Sequence, residues 1–224
     1  MAAYSSALLD FDLTLVDMSD AVDWRSAGIE VRRILVENSF EVSSLDLLPV
    51  SLLRESVNFD RGPPGSRRER WMRASGRLCD FEEEGAEKAV ANEGCFEFLE
   101  VLRSNLITAA VTSSNCRSAI IRCAERLGMI NFFSSIVTRD EVLWEMKPNT
   151  KPIKMAMKSI GARPENTFGL GDSVVDIRAF SACMVTPFGI TGGMSTSDEL
   201  YDAGAVKVFA SLKQAADEFR SRTG

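Results

Sequence analysis

Two aspartates one residue apart, Asp10 and Asp12, close the apolar run Ala7-Leu8-Leu9. Side chains alternate along an extended strand, so both carboxylates emerge on one side where the strand ends. Carboxylates this close repel unless a cation lies between them or one keeps its proton, and either state is chemically useful. An ionised Asp10 can attack phosphorus, while Asp12 protonates the leaving oxygen and then, as a base, activates water. The alternative is a strand end with capping aspartates. A second acidic fragment, Gly171-Asp172-Ser173-Val174-Val175-Asp176, follows the apolar stretch 167–170. Its glycine is expected to permit a tight turn into a helix, on which Asp176 falls about one turn beyond Asp172. With Asp10 these acids make a hard-oxygen set of the kind Mg²⁺ prefers. By themselves they read as ordinary acids favoured at a helix N-terminus. Thr112, after the stretch 107–111, and Ser113 offer hydroxyls and following amides to a phosphate oxygen. Lys147, before Pro148, offers a point charge for the nucleophile and the transferring group, with Lys151 as its rival.

Such chemistry needs these fragments side by side, and the apolar runs provide the means. Short buried strands are expected at 7–11, 107–111, 135–138, 167–170 and 183–186, with an edge strand near 206–209. Helical spacing separates them: Leu99 and Leu102; Ile120, Ile121, Ala124 and Leu127; Met155, Ala156 and Ile160. Alternation of this kind predicts an α/β fold, a doubly wound, mainly parallel, Rossmann-like sheet whose ligands bind beyond the carboxyl ends of the strands. It is interrupted once, between Asp17 and about Cys95, where no strand is expected. Trp24, Ile29, Ile34 and Leu35 suggest a first helix there, and Leu47, Leu48, Leu52 and Leu53 a second. Ser66-Arg67-Arg68-Glu69 reads as a capping box, and Asp80-Phe81-Glu82-Glu83 as a further helix start. The expected organisation is a Rossmann-like core of residues 1–17 and 95–224 with an all-helical cap, residues 18–94, over the strand ends. Thr196-Ser197-Asp198-Glu199 and Ser211-Leu212-Lys213-Gln214 open the last two helices.

Composition narrows the chemistry further. The 224 residues, 45% hydrophobic, are ample for a packed interior. A formal net charge of -6 argues against a general nucleic-acid binder. The chain has no histidine, which closes Ser-His, Cys-His and His-metal mechanisms and leaves acid/base work to carboxylates. Five cysteines, Cys79, Cys95, Cys116, Cys123 and Cys183, include no C-x-x-C pair and read as buried thiols in a reducing compartment. With no basic leader segment and no run of membrane-spanning length, the expectation is a cytoplasmic protein, monomer or homodimer, with no nucleic acid or membrane partner.

Together the four fragments resemble the four motifs of the haloacid dehalogenase-like hydrolase superfamily, in an arrangement similar to its phosphoglycolate phosphatase-like branch with a helical cap. The likeness runs from Ala7 to about Phe219. It implies that Asp10 is nucleophile and Mg²⁺ ligand, and that Asp12 is the acid/base and binds metal through its backbone carbonyl. It further implies that Thr112 and Lys147 hold phosphate, with Ser113 beside them, that Asp172 ligates Mg²⁺ and that Asp176 supports the metal. A carboxylate at Asp12 disfavours the dehalogenase branch, which lacks one there. Leu13 departs from the glycine that many members carry.

The function implied is a Mg²⁺-dependent phosphatase acting on a small phosphorylated metabolite, phosphoglycolate-like or a sugar phosphate, through an aspartyl-phosphate on Asp10. The alternatives are a phosphomutase of the same fold and, from another class, a receiver-like signalling module, against which Asp12 and the insertion argue. Arg61, Arg67, Arg68, Arg70, Arg73 and Arg77 crowd one stretch of the insertion and could read an anionic group on the substrate. The stronger reading, given Asp80, Glu82, Glu83 and Glu84 after them, is a solvated surface.

Overall fold

The computed structural model describes residues 4–42 and 48–221. Along the chain, β1 (Ser6–Leu9) and the two-residue β2 (Val16–Asp17) precede three helices, α1 (Trp24–Glu37), α2 (Pro49–Ser56) and α3 (Arg67–Ala86). Then follow β3 (Val90–Ala91), α4 (Cys95–Ser104), β4 (Thr108–Thr112), α5 (Arg117–Arg126), β5 (Phe133–Val137), α6 (Arg139–Val142) and α7 (Lys151–Ser159). The chain continues through β6 (Thr167–Gly171), α8 (Val174–Ala182), β7 (Thr186–Ile190), α9 (Ser197–Asp202), β8 (Lys207–Phe209) and α10 (Leu212–Ser221).

The larger sheet has the order β5-β4-β1-β6-β7-β8, and each neighbouring pair is parallel. Its centre is β1, fully buried because both of its faces are covered. Ala7 and Leu9 pack with Phe98, Val111, Ile120, Phe168 and Phe219 on one face, whereas Leu8 packs with Ala110, Ile153 and Phe180 on the other. Because β1 is flanked by β4 and β6, the loops that leave these three strands converge at one edge. That edge carries Asp10, Thr112 and Asp172.

The strand near 183–186 lies elsewhere. Cys183 and Met184 close α8, their amides donating to the carbonyls of Phe180 and Ser181, and Met184 turns the chain at φ 58°. The strand follows at Thr186–Ile190, where Pro187 and Gly189 read in the sequence as turn residues. Pro187 is tolerated because it sits at the strand's start. Inside the interval 17–95 one short strand does occur, β3, which pairs antiparallel with β2 at the interval's border and brings the two ends of the α1–α3 segment together.

Asp80-Phe81-Glu82-Glu83 starts no helix: α3 runs through it, and Asp80 pairs with Arg77 one turn earlier at 3.0 Å. Nor does Ser66 cap α3. Its hydroxyl donates to the Pro63 carbonyl (3.0 Å) and accepts from Arg70 Nε (2.9 Å), so Arg70 occupies the oxygen a cap would use. Leu47 lies outside the described residues, but Leu52 and Leu53 of α2 are buried as expected, and Trp71 Nε1 donates to the Leu53 carbonyl at 2.9 Å. The thiol reading holds for Cys95, Cys123 and Cys183 and fails for two cysteines: Cys79 and Cys116 form a disulfide between α3 and the start of α5, which no spacing rule announces. Among the described residues, no helix is long and apolar enough to cross a membrane.

Candidate active site

Past β1 the chain leaves the sheet, and the buried Lys147 draws the surrounding elements together. Its Nζ donates to Asp10 Oδ1 at 2.6 Å and to the Thr112 carbonyl at 2.8 Å, and lies 2.5 Å from Asp176 Oδ1. One ammonium thus ties β1, β4 and α8. Lys151, the rival, pairs with Glu145 instead. Thr14 bridges the first and last fragments, its hydroxyl lying 3.1 Å from Asp10 Oδ2 and 3.3 Å from Asp172 Oδ1. Asp172 Oδ2 also accepts the Met194 amide at 2.7 Å.

Asp176 serves both readings offered by its position. One oxygen completes a capping box with Ser173 at the start of α8, and the other faces Lys147. The glycine before Asp172 acts through space rather than through a left-handed turn. A Cβ at Gly171 would stand 2.5 Å from the Asp176 Cβ, and one at Gly193 would stand 2.2 Å from Asp172 Oδ2. Leu13, by contrast, sits at φ 60°, the region that favours glycine, and its side chain lines the cavity beside Asp12.

Oxygens of Asp10, Asp172 and Asp176 lie within 4.8 Å of one another, and all three residues are buried. Burial pushes Asp10 up from 3.8 to about 6 although Lys147 opposes it, and pushes Asp172 to about 8, with the charges of Asp10 and Asp176 adding to the effect. Burial works against the Lys147 charge as well, but Asp10 and Asp176 outweigh it and hold the ammonium above the ordinary lysine value. Three buried acids share one ammonium, and the upward shifts of Asp10 and Asp172 show what it costs to ionise them together without a further cation. A hard, all-oxygen donor set in that state fits a divalent cation such as Mg²⁺. Asp12 stands outside this trio of oxygens. It is half-buried, accepts the Met18 amide at 3.2 Å, and is raised to about 7 by burial and then by the charge of Asp10. A carboxyl poised near neutrality suits a group that must both give and take a proton.

Thr112 is fully buried, and its hydroxyl has no hydrogen-bond partner among the described residues, an orphan donor close to the acid cluster. Ser113 is engaged locally: its hydroxyl donates to Asn115 Oδ1 (3.0 Å) and accepts the Asn115 amide (3.2 Å). In consequence Ser114 and Asn115, rather than Thr112 and Ser113, line the cavity of about 410 Å³ that also contains Asp10, Asp12, Lys147, Asp172 and Asp176.

From the α1–α2 side this cavity is walled by Trp24, Leu48, Pro49, Val50, Ser51 and Arg54. None of the six arginines grouped in the sequence lines it. Arg61 pairs with Glu41, Arg67 and Arg70 with Asp60, Arg73 with Glu69 and Arg77 with Asp80, while Arg68 lines a separate surface depression. Arg54 is the arginine that reaches the site, its Nη1 donating to the Lys147 carbonyl at 3.3 Å. A lone arginine on an amphipathic helix gives no sequence signal of that kind. Thr14 had a weak one, its position within the first acidic fragment.

Comparison with known proteins bears on this geometry. The family model described as haloacid dehalogenase-like hydrolase matches residues 52–188. A phosphoglycolate phosphatase of Salmonella typhi is 24% identical over 216 residues, 90% of this chain and 81% of that protein. Pyrophosphatase PpaX of Oceanobacillus iheyensis is 37% identical over 82 residues, 37% of this chain; the matched stretch spans only 38% of that relative's own length. A crystal structure of a hydrolase from Pseudomonas syringae superposes with a TM-score of 0.74 at 25% identity, covering 96% of this chain and 98% of that one. CbbY from Rhodobacter sphaeroides, solved in complex with phosphate, shares the fold at a TM-score of 0.68 and 18% identity, over 96% of both chains.

Proposed function

The chain belongs to the haloacid dehalogenase-like hydrolases, and from that premise we propose that it is a Mg²⁺-dependent phosphatase of a small phosphorylated metabolite, working through an aspartyl-phosphate on Asp10. The observation that carries this reading is the Lys147 ammonium, 2.6 Å from Asp10 and 2.5 Å from Asp176, beside a buried acid cluster that lacks a matching positive charge. An ammonium in that place keeps Asp10 ionised and aligned for attack.

An Asp10 oxygen forms the new bond to phosphorus as the ester P–O bond breaks, and Asp12 delivers its proton to the departing oxygen. Asp12 then takes a proton from water, whose oxygen attacks phosphorus, freeing Asp10 and inorganic phosphate. Lys147 binds the phosphoryl oxygens throughout, with the orphan Thr112 hydroxyl as a donor just behind the cavity wall and the Ser113–Asn115 turn shaping the loop around them. A divalent cation held by Asp10, Asp172 and Asp176, with the Asp12 carbonyl, would supply charge neutralisation on those oxygens. Residues 18–94 act as the cap, whose α1–α2 side covers the cavity and limits water during the first step.

Phosphoglycolate-like acids and sugar phosphates are the substrate classes we favour, because Arg54 offers an anion or hydroxyl of the substrate a donor next to the Lys147 backbone. The test is a phosphate-release screen over phosphoglycolate, sugar phosphates, nucleotides and pyrophosphate, with and without Mg²⁺, on the wild type and Asp10→Asn. Turnover that survives in folded Asp10→Asn removes the mechanism. Isomerised sugar phosphate in place of inorganic phosphate would make the enzyme a mutase.

A further inference from the structure

The loop from β4 to α5 is gripped from outside the acid cluster. Arg139 and Glu82, both without solvent exposure, form an ion pair at 2.6 Å. The same Arg139 Nη1 donates to the Ser114 carbonyl at 3.0 Å, and the Arg139 amide donates to the Asn115 carbonyl at 3.4 Å. The second Glu82 oxygen accepts the Cys116 amide at 2.9 Å. Three consecutive residues of the loop are thus held by one buried pair, and Arg139 is itself braced by Ser75, whose hydroxyl and carbonyl accept from its Nε (2.9 Å) and Nη2 (3.1 Å). Ser75, Cys79 and Glu82 stand four and three residues apart, on one face of α3. All three reach this loop or the arginine that holds it, Cys79 through its covalent bond to Cys116.

Burying an ion pair costs desolvation that apolar packing would avoid, so a pair buried this completely asks for a role beyond stability. On the reading of Thr112–Asn115 as the phosphate-binding loop, on which this inference rests, we propose that Glu82 and Arg139 are positioning residues for that loop and that the Cys79–Cys116 bond completes the clamp, so that its reduction weakens the hold on phosphate. A dithiol supplies two electrons and two protons, the S–S bond breaks to two thiols, and the dithiol closes to its own disulfide. Cys79 is partly exposed, on the side from which such a reagent would approach, whereas Cys116 is buried. The α3 face then holds the loop through Glu82 and Arg139 alone.

The experiment titrates inorganic phosphate, with Mg²⁺ present, into oxidised wild type, dithiothreitol-reduced wild type, Cys79→Ser and Glu82→Gln, by calorimetry, and measures KM and kcat on the same samples. Reduction and Cys79→Ser should each raise the phosphate Kd about threefold, with Cys79→Ser indifferent to further reductant, and Glu82→Gln should raise it roughly tenfold. KM should follow Kd more closely than kcat does. Melting temperatures that fall while Kd and KM stay constant would overturn the positioning role and leave a merely structural one. Should Glu82→Gln not fold, Cys79→Ser and reduction decide alone. Failure of the oxidised wild type to bind phosphate would instead remove the phosphate site itself and the clamp with it.

Discussion

The buried acids should make the metal-free protein less stable as pH rises from 5 to 8, and Mg²⁺ should remove the part carried by Asp10 and Asp172. A carboxyl whose pKa is higher folded than unfolded binds more protons in the native state between the two values, so its stabilising contribution is complete below the unfolded value and is lost as pH rises through the folded one. For Asp10 that loss ends near 6, for Asp12 near 7 and for Asp172 near 8. Between pH 5 and 8, Asp10 and Asp12 alone traverse enough of their ranges to cost about 4 kcal/mol at about 1.4 kcal/mol per pKa unit, or roughly 10 °C of melting temperature for a chain of this size. Asp172 acts in the same direction. The chain has no histidine to add a titration of its own in this window. Asp60, held at about 2 by Arg67, the Gly62 amide and Arg70 in spite of its burial, is ionised throughout it. Glu82 is also raised by burial, but it lies away from the acid trio, so its slope should persist in Mg²⁺. The assay is calorimetric melting of chelator-treated protein across this range, with and without millimolar Mg²⁺. A metal-free melting temperature that is flat or rises with pH, or a slope that Mg²⁺ leaves unchanged, would refute the reasoning.

Three further outcomes are expected. Lys147→Ala should leave Asp10 and Asp176 without their shared counter-ion, lowering kcat about 10²–10³-fold and stability by about 3–5 kcal/mol, read by phosphate release and urea unfolding. Gly193→Ala, whose Cβ would collide with Asp172 Oδ2 at 2.2 Å, should raise the Mg²⁺ concentration needed for half-maximal activity about tenfold or more while leaving the far-ultraviolet circular dichroism intact. Arg54→Ala should raise KM about tenfold for phosphate esters carrying a second anion and much less for p-nitrophenyl phosphate; equal losses on both would place Arg54 in general stability instead.

The motifs were legible because strand-end chemistry is local. Asp10 and Asp12 follow an apolar run, Gly171 and Asp172 close another, and a parallel sheet has a single edge where such ends can meet. Other elements were hidden by residues whose type misleads. Pro187 and Gly189 masked β7, and the acids after Leu78 resembled a helix start although Asp80 pairs one turn back with Arg77, Glu82 with Arg139 and Glu83 with Arg122. The six clustered arginines drew attention by their number, whereas the cavity is reached by Arg54, which has no cluster.

What the sequence by itself determined was a set of candidate reacting groups and the alternating pattern that brings strand ends together, since both depend on residue type and short spacing. Tertiary structure alone decided which lysine meets Asp10, that Thr14 reaches an acid 158 residues further along the chain, that Cys79 bonds to Cys116, and that Glu82 finds Arg139. Those pairings join segments tens to more than a hundred residues apart, and the upward shifts of Asp10 and Glu82 arise first from burial, which no spacing in the chain encodes.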